Sequence, residues 1–387
     1  MNIAFICTEK LPSPAVKGGA IQMMIDGIVP YLKEQHDITI FSITDPALPD
    51  FEQKEGVTYY RFPRSSYRFS VAEELKNHTF DIIHVCNRPR HIPLYKEASP
   101  SSQFILSVHN EMFAENKISD EEGKKTIEQV TAITTVSQFI KDTIIARFPE
   151  AEEKTSVVYS GVDLNEFKPV WTKEGQRIRN EMRKKYGISK RSKVILFIGR
   201  LSPSKGPHIL IEAMKYILPK HEDAVLVIVG GKWFSDNRVN KYVRYLHTLA
   251  SPYENHVIFT KFVPANEIYH MYVMGDLFVC SSQWNEPLAR VHYEAMAAGV
   301  PIMTTDRGGN AEVIEDEENG LLIKDYKNPF EYARVINEML DLPGFGRWLA
   351  QNGRKAAEEQ FDFKHVASRY QSVYFQAIDA LADTTPF

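Results

Sequence analysis

The sequence predicts an α/β protein made of two doubly wound domains that face each other across a cleft. Three observations predict it. Short apolar runs rich in β-branched residues recur along the chain, and the stretches between them carry apolar residues at helical spacing. One polar, basic segment, residues 162–192, interrupts this alternation near the middle. Near-continuous apolar strands alternating with amphipathic helices imply parallel sheets covered on both faces. A chain of 387 residues also exceeds what one hydrophobic core usually serves.

In the first half the strand-like runs are 2–8, 38–44, 57–62, 81–86, 104–109, 132–137 and 156–161. In the second they are 193–199, 224–231, 257–262, 276–282, 301–305 and 320–323. Residues 20–35 place Ile21, Met24, Ile25, Ile28 and Leu32 on one helical face, and residues 207–221 do the same with Ile209, Leu210, Ala213, Met214 and Ile217. Within the polar interruption, 173–186 reads as a charged helix. At the end, Val366, Tyr370, Val373, Tyr374, Ala377, Ile378 and Leu381 form an apolar stripe over 363–382. The expected division is a first domain over 1–168, a second over 169–362, and a final helical segment, 363–387, packing back on the first.

Composition narrows the function. A net charge of −4 supplies no basic field for nucleic acid. Cys7, Cys86 and Cys280 each lie in or beside an apolar run, as buried thiols of a reducing compartment do. No C-x-x-C pair or His/Cys cluster points to zinc, no D-x-D motif to paired carboxylates on a divalent ion, and no run of 18 apolar residues to a membrane span. The opening MNIAFICTEKLP lacks the basic start of a secretory signal, so the expected location is cytoplasmic.

Several stretches carry candidate chemistry. GRLSPSKG (199–206) puts Arg200 and Lys205 at the carboxyl end of a strand, where open α/β sheets bind ligands, and the two cations together suit a diphosphate. KGGA (17–20) puts Gly18 and Gly19 just before a helix, where backbone can approach a ligand closely. WNEPLARVHYEAMAAGVP (284–301) sets Glu286 and Glu294 eight residues apart. With Pro287 in a first helical turn they would lie about 10 Å apart along one axis and within about 80° in direction, so both could approach one groove. A carboxylate there suits the vicinal hydroxyls of a sugar or ribose. Spacing alone leaves open whether Glu294 merely covers a solvent face. GGNAE (308–312) adds a Gly-Gly loop after a strand, with Glu312 at the start of a helix. His109 ends a first-domain strand, as a structural or a catalytic histidine would.

Taken together and in order, these pieces resemble the retaining glycosyltransferases of family GT4, whose GT-B fold consists of two Rossmann-like domains. The most specific part is the E-x7-E motif, Glu286 to Glu294, followed by EAMAAGVP. VYSGVD (158–163), GRLSPSKG, DLFVCSS, GGNAEVI and ENGLLI stand around it in the family's order, and the likeness covers almost the whole chain. HVCNRP, ILSVHNEMFA and SSQWNEPLARVHYEAMAAG bring it nearer the spore-coat-associated members of endospore-forming bacilli. The resemblance implies a nucleotide-sugar donor, UDP-sugar first, and a glycan, protein or small-molecule acceptor. It implies no metal and no other cofactor, with spore-coat proteins as candidate partners and assembly into the coat as a second location. It assigns donor-sugar hydroxyls to Glu286, the ribose diol to Glu294, the diphosphate to Arg200 and Lys205, and closure on the phosphates to Gly18 and Gly19. His109 would touch the donor sugar near the reacting centre, and backbone near Phe262 and Val263 would read the base. Many members continue the first Glu with Pro-Phe-Gly; here Leu288 and Ala289 stand in those donor-binding positions and Arg290 follows, as a charge that could compensate for the lost glycine. The segment after Gly230–Gly231–Lys232 is also unusual and suggests an acceptor or partner surface. A coat scaffold without turnover, or a nucleotide-sugar 2-epimerase, would share the fold.

Overall fold

The computed structural model describes residues 1–231, 239–264 and 267–382. They form two compact units: Met1–Gly161 together with the C-terminal segment from Phe363, and Val162–Asp362. The division falls after Gly161 rather than after residue 168. Val162, the first residue of the second unit, pairs with its last, Asp362, and its N–H bonds the Phe361 carbonyl at 2.9 Å.

The first unit holds eight strands: β1 (Asn2–Ile6), β2 (Asp37–Ile43), β3 (Phe51–Lys54), β4 (Val57–Phe62), β5 (Ile82–Cys86), β6 (Gln103–Val108), β7 (Ala132–Thr135) and β8 (Thr155–Val157). Their order is β3-β4-β2-β1-β5-β6-β7-β8. All neighbours pair in parallel except β3 with β4. That antiparallel edge strand, FEQK, escaped the apolar pattern because it is mostly exposed. Glu55 and Gly56, at φ 52° and 80°, turn it back by a two-residue hairpin. The unit's helices are α1 (Ala20–Leu32), α2 (Tyr67–Leu75), α3 (Ile92–Ala98), α4 (Asp120–Gln129) and α5 (Gln138–Ile145).

The second unit orders its six strands β11-β10-β9-β12-β13-β14, all parallel: β9 (Lys193–Ile198), β10 (Ala224–Val229), β11 (Val257–Lys261), β12 (Leu277–Cys280), β13 (Ile302–Thr305) and β14 (Leu321–Ile323). Its helices are α6 (Lys173–Lys185), α7 (Pro207–Ile217), α8 (Lys241–Ala250), α9 (Ile268–Tyr272), α10 (Val291–Ala298), α11 (Pro329–Asp341) and α12 (Pro343–Ala356). The charged helix α6 is tied down by Arg179 and Arg183, which both pair with Asp276 at the start of β12.

The last helix, α13 (Phe363–Ala382), belongs to the first unit. Its stripe of Phe363, Val366, Tyr370 and Tyr374 closes the core formed by Ile3, Phe5, Met24, Ile25 and Ile28 on one face of the sheet. Each such side chain stabilises by roughly 1.5–3 kcal/mol when fully buried. Strand order reverses between β1 and β5 in the first unit and between β9 and β12 in the second. Ligands of open α/β sheets bind outside the carboxyl ends of the strands at such a reversal.

Candidate active site

At the β9/β12 reversal, the loop leaving β9 carries Arg200, half-buried, and a short 3-10 turn ending at Lys205. The loop leaving β12 carries Ser281, Ser282, Trp284 and Glu286. Ser281 Oγ ties the two loops by donating to the Lys205 and Gly206 carbonyls, both at 3.1 Å. Lys205 Nζ meets Glu286 Oε2 at 2.6 Å. Ser282 Oγ and Trp284 Nε1 donate to the same oxygen at 3.0 and 2.8 Å. Glu286 is 7% exposed. Burial raises its pKa, but the Lys205 charge and the three hydrogen bonds outweigh burial and hold it below the ordinary value. Among the described residues every side-chain donor to Glu286 falls on Oε2, so Oε1 keeps its lone pairs for another partner.

The Glu286 backbone is seated by the Gly-Gly loop after β13. It bridges to Gly308 in parallel, and Gly309 N–H donates to its carbonyl at 2.7 Å. Gly308 sits at φ 60°, and a Cβ there would lie 2.2 Å from the Glu286 carbonyl oxygen. This arrangement corrects the single-helix geometry expected for 284–301. Helix α10 begins at Val291, Pro287 lies outside it, and Glu286 belongs to the strand-end bridge. The reason is competition for backbone: Gly308–Gly309 hold residue 286, and Asn310 Oδ1 takes the Ala289 N–H at 3.2 Å. Gly309–Val313, with Glu312 in it, is likewise a 3-10 turn, not the start of an α-helix.

Glu294 sits in the first turn of α10 and is 7% exposed. Tyr272, the last residue of α9, donates its hydroxyl to Oε2 at 2.6 Å, and Arg290 Nε approaches Oε1 at 3.7 Å. Glu294 is thus buried and held, and not a cover for a solvent face. Leu288 is half-buried and Ala289 buried between the two acids. Beneath them His292 is fully buried, bonding the Ala289 carbonyl at 2.7 Å and Thr304 Oγ1 at 2.8 Å. Burial disfavours charge on both His292 and Cys280. Even so, His292 is pushed up and the Cys280 thiol down, because each favours the other's charged form.

The structure thus brings Lys205 to Glu286 and Arg290 to Glu294. Phe262 and Val263 follow β11 as half-buried loop residues. Gly18, Gly19 and His109 belong to the first unit. Gly18 and Gly19 have φ of 75° and 110° before α1. The His109 backbone N–H donates to Asn87 Oδ1 at 3.0 Å, its Nε2 lies 3.2 Å from Ser107 Oγ, and enclosure pushes its pKa down to about 4. Sequence reasoning missed Ser282, Trp284, Tyr272 and the seating role of Gly308. The signal for Gly308 was its place directly after a strand; Tyr272 carried none, being distant in sequence. The unusual segment after Gly231 lies, over 232–238, outside the described residues. Among the described residues no group of three His, Cys, Asp or Glu side chains is arranged to hold a metal, and no helix is long and apolar enough to cross a membrane.

Comparison with known proteins decides the family. Residues 178–356 match the model for glycosyl transferases group 1, and residues 21–166 that for glycosyltransferase family 4. The putative glycosyltransferase YtcC of Bacillus subtilis (strain 168) is 58% identical over 97% of this chain and 92% of its own. The chain belongs to glycosyltransferase family 4. A second relative in this family, spore coat protein SA of the same organism, is 50% identical over 97% of this chain and 99% of its own. A solved structure of Anabaena Alr3699/HepE in complex with UDP superposes with a TM-score of 0.77, at 23% identity, covering 97% of this chain and all of that one. The family 4 chain has the GT-B fold.

Proposed function

We propose that this glycosyltransferase moves a sugar from a nucleotide diphosphate, UDP-sugar first, to an acceptor hydroxyl with retention of configuration and without a metal ion. The observation that carries the reading is the Lys205–Glu286 pair across the β9/β12 reversal. It sets a cation suited to a diphosphate directly beside a carboxylate oxygen suited to hydroxyls. Glu286 Oε1 takes donor-sugar hydroxyls, and Glu294 takes the ribose diol. Arg200 and Lys205 take the diphosphate, joined by the backbone at Gly18 and Gly19. Backbone near Phe262 and Val263 reads the base. Leu288, Ala289 and Arg290 line the donor, with Arg290 turned toward Glu294. His109, neutral at pH 7, hydrogen-bonds the sugar near the reacting carbon. UDP in the Anabaena complex supports the choice of nucleotide.

In the transfer, the bond from the anomeric carbon to the diphosphate oxygen breaks while the acceptor oxygen attacks from the same face. The acceptor's proton passes to the leaving phosphate oxygen. Arg200 and Lys205 stabilise the charge that grows on that group, and the transition state resembles an oxocarbenium ion. The place of action is the cytoplasm. The half-identity to a protein named for the spore coat favours a second reading, a coat component with coat proteins as partners.

A thermal-shift panel of nucleotides and nucleotide sugars tests the donor site, since a ligand of the native state raises stability. UDP or a UDP-sugar should raise the melting temperature of the wild type and not of E294A or K205A. No shift at millimolar ligand sinks the donor reading, and equal shifts in all three proteins sink the residue assignment. UDP release on incubation with donor separates turnover from a coat role.

A further inference from the structure

Within the run HVCNRP, Asn87 holds a backbone conformation that few residues adopt. It follows β5 directly, is buried, and has φ 55°. Asparagine tolerates this left-handed region because its short amide can bond nearby backbone. The register of β5 on β6 pairs Cys86 with Ser107, and the Asn87 N–H continues the ladder to the Ser107 carbonyl at 2.7 Å. In an uninterrupted parallel ladder the Asn87 carbonyl would next accept the His109 N–H. The left-handed turn takes that carbonyl away, and it accepts from Arg88 Nη1 at 2.7 Å instead. Asn87 Oδ1 stands in its place and accepts the His109 N–H at 3.0 Å.

A side-chain amide thus replaces a backbone carbonyl. His109 stays in line with β6, one residue past its end at Val108, although the neighbouring chain has already turned off. The ring is held from its own strand. Ser107, two residues back and therefore on the same face, places Oγ 3.2 Å from Nε2. With Nε2 engaged, Nδ1 is the nitrogen that can meet the donor sugar. The titratable side chains of β5 beside it are uncharged at pH 7: burial pushes His84 down to about 3 and Cys86 up to about 12. The Asn87 amide adds no charge, so nothing on this face favours an imidazolium, and His109 stays neutral.

We propose that Asn87 is the positioning residue of His109, its amide fixing where the imidazole stands. The proposal rests on the transferase reading, in which His109 bonds the donor sugar near the reacting carbon. It needs both properties of asparagine. Glycine would accept the turn but offers no oxygen, and alanine offers neither. Aspartate keeps the turn and the oxygen but brings a charge.

The test uses the full chain with its histidines labelled with 15N, the His109 ring signals being assigned by their loss in H109Q. Their pH titration needs no donor. In wild type the ring should titrate far below the ordinary histidine value. N87G frees the His109 N–H, and the ring should titrate at least about one pH unit higher. N87D sets a carboxylate at the same N–H, and its charge should raise the titration while the anchor holds. UDP release from UDP-glucose gives the second readout. In N87G, kcat should fall by about tenfold to a hundredfold with KM changed by less than about twofold, because a misplaced contact is lost mainly in the transition state. N87D should keep its kcat at alkaline pH and lose it earlier than wild type as pH falls. An asparagine that merely stabilised the fold would lower the melting temperature and leave the titration and kcat where they are. His109 titrating in both variants as in wild type overturns the proposal; should N87G not fold, the N87D titration decides alone. A moved titration with unchanged kcat upholds Asn87 as the anchor and overturns the part given to His109 in transfer. Wild type that releases no UDP overturns the donor reading, and the titration still decides the anchor.

Discussion

The two units place an acid–base pair at the same topological position with the polarity inverted. In the first, the acid, Glu9, stands on the loop of the leading strand and the base, Arg88, across the reversal. In the second, Lys205 holds the leading loop and Glu286 stands across from it. The surroundings then diverge. Around Glu286 the neighbours are donors: Ser282 and Trp284 to its carboxylate, and Gly309 to its backbone carbonyl. Around Arg88 the neighbours are further cations, Arg64 and Arg68, whose partners are carbonyls and a ring. One topology thus yields a region that neutralises its own carboxylates and another with excess positive charge. The first kind suits hydroxyls and an exchangeable diphosphate contact.

The comparison breaks most visibly at Lys205. Lys205→Met leaves the buried Glu286 without its cation, and stability at pH 7 should fall by about 2–4 kcal/mol. UDP release should drop by roughly 10²–10³, the scale of removing one preorganised charge contact. The pH dependence carries the sign. In the wild type the Glu286 pKa is lowered, so its contribution is present above the unfolded value of about 4.3 and is lost as pH falls through the lower folded value. In the variant only the Ser282 and Trp284 hydrogen bonds still oppose burial, so the balance moves toward the protonated acid and the deficit should narrow between pH 7 and pH 5. Denaturant titrations showing a constant deficit across that range would mean that Lys205 does not hold Glu286 ionised.

Gly308→Ala tests the backbone seat of the same acid. It forces a side chain to φ 60° and a Cβ to within 2.2 Å of the Glu286 carbonyl, which should cost roughly 2–3 kcal/mol and displace Glu286. A variant as stable as wild type, with its UDP shift intact, would show the seat to be dispensable. Tyr272→Phe is milder. It removes the phenol from Glu294 and should cost about 1–2 kcal/mol, with a donor affinity about tenfold weaker. Unchanged UDP affinity in that variant would detach Glu294 from the nucleotide.

Much of this was legible in sequence, for identifiable reasons. Buried parallel strands must be apolar almost throughout, so β1, β5, β9 and β12 stand out, and the stripe from Val366 to Tyr374 shows α13 in full. Lys205 and Glu286 stood out by their place after a strand, and the E-x7-E spacing within the family resemblance added Glu294, which the residues alone left open. What stayed hidden depends on tertiary pairing. The polar edge strand β3 has no apolar signature. The helix start at Val291 was displaced from Pro287 by contacts to Gly308, Gly309 and Asn310, more than twenty residues downstream in the case of Glu286 and Gly308. The arginine cluster is spread over residues 64, 68 and 88, and no local spacing announces it.

The smallest predicted effect concerns a second acid in the first unit and sharpens the contrast with Glu286. Asp26, in α1, accepts the Ala15 N–H at 2.7 Å on the loop that carries Gly18 and Gly19. Among the described residues no cation stands against it, and burial pushes its pKa up to about 6, the opposite direction from Glu286. Against an unfolded value of about 3.9, the folded protein binds more protons between roughly pH 4 and 6, so stability falls as pH rises through that window and the penalty is complete above it. Asp26→Asn keeps an oxygen for Ala15 and removes the titration. The variant should therefore gain on wild type by about 1 kcal/mol between pH 4.5 and 7, less than the full shift because the carboxyl is partly solvated. Parallel stability curves for the two proteins across that range would show that Asp26 is ionised as readily in the fold as in the unfolded chain, and that a backbone N–H alone can replace the lysine that Glu286 requires.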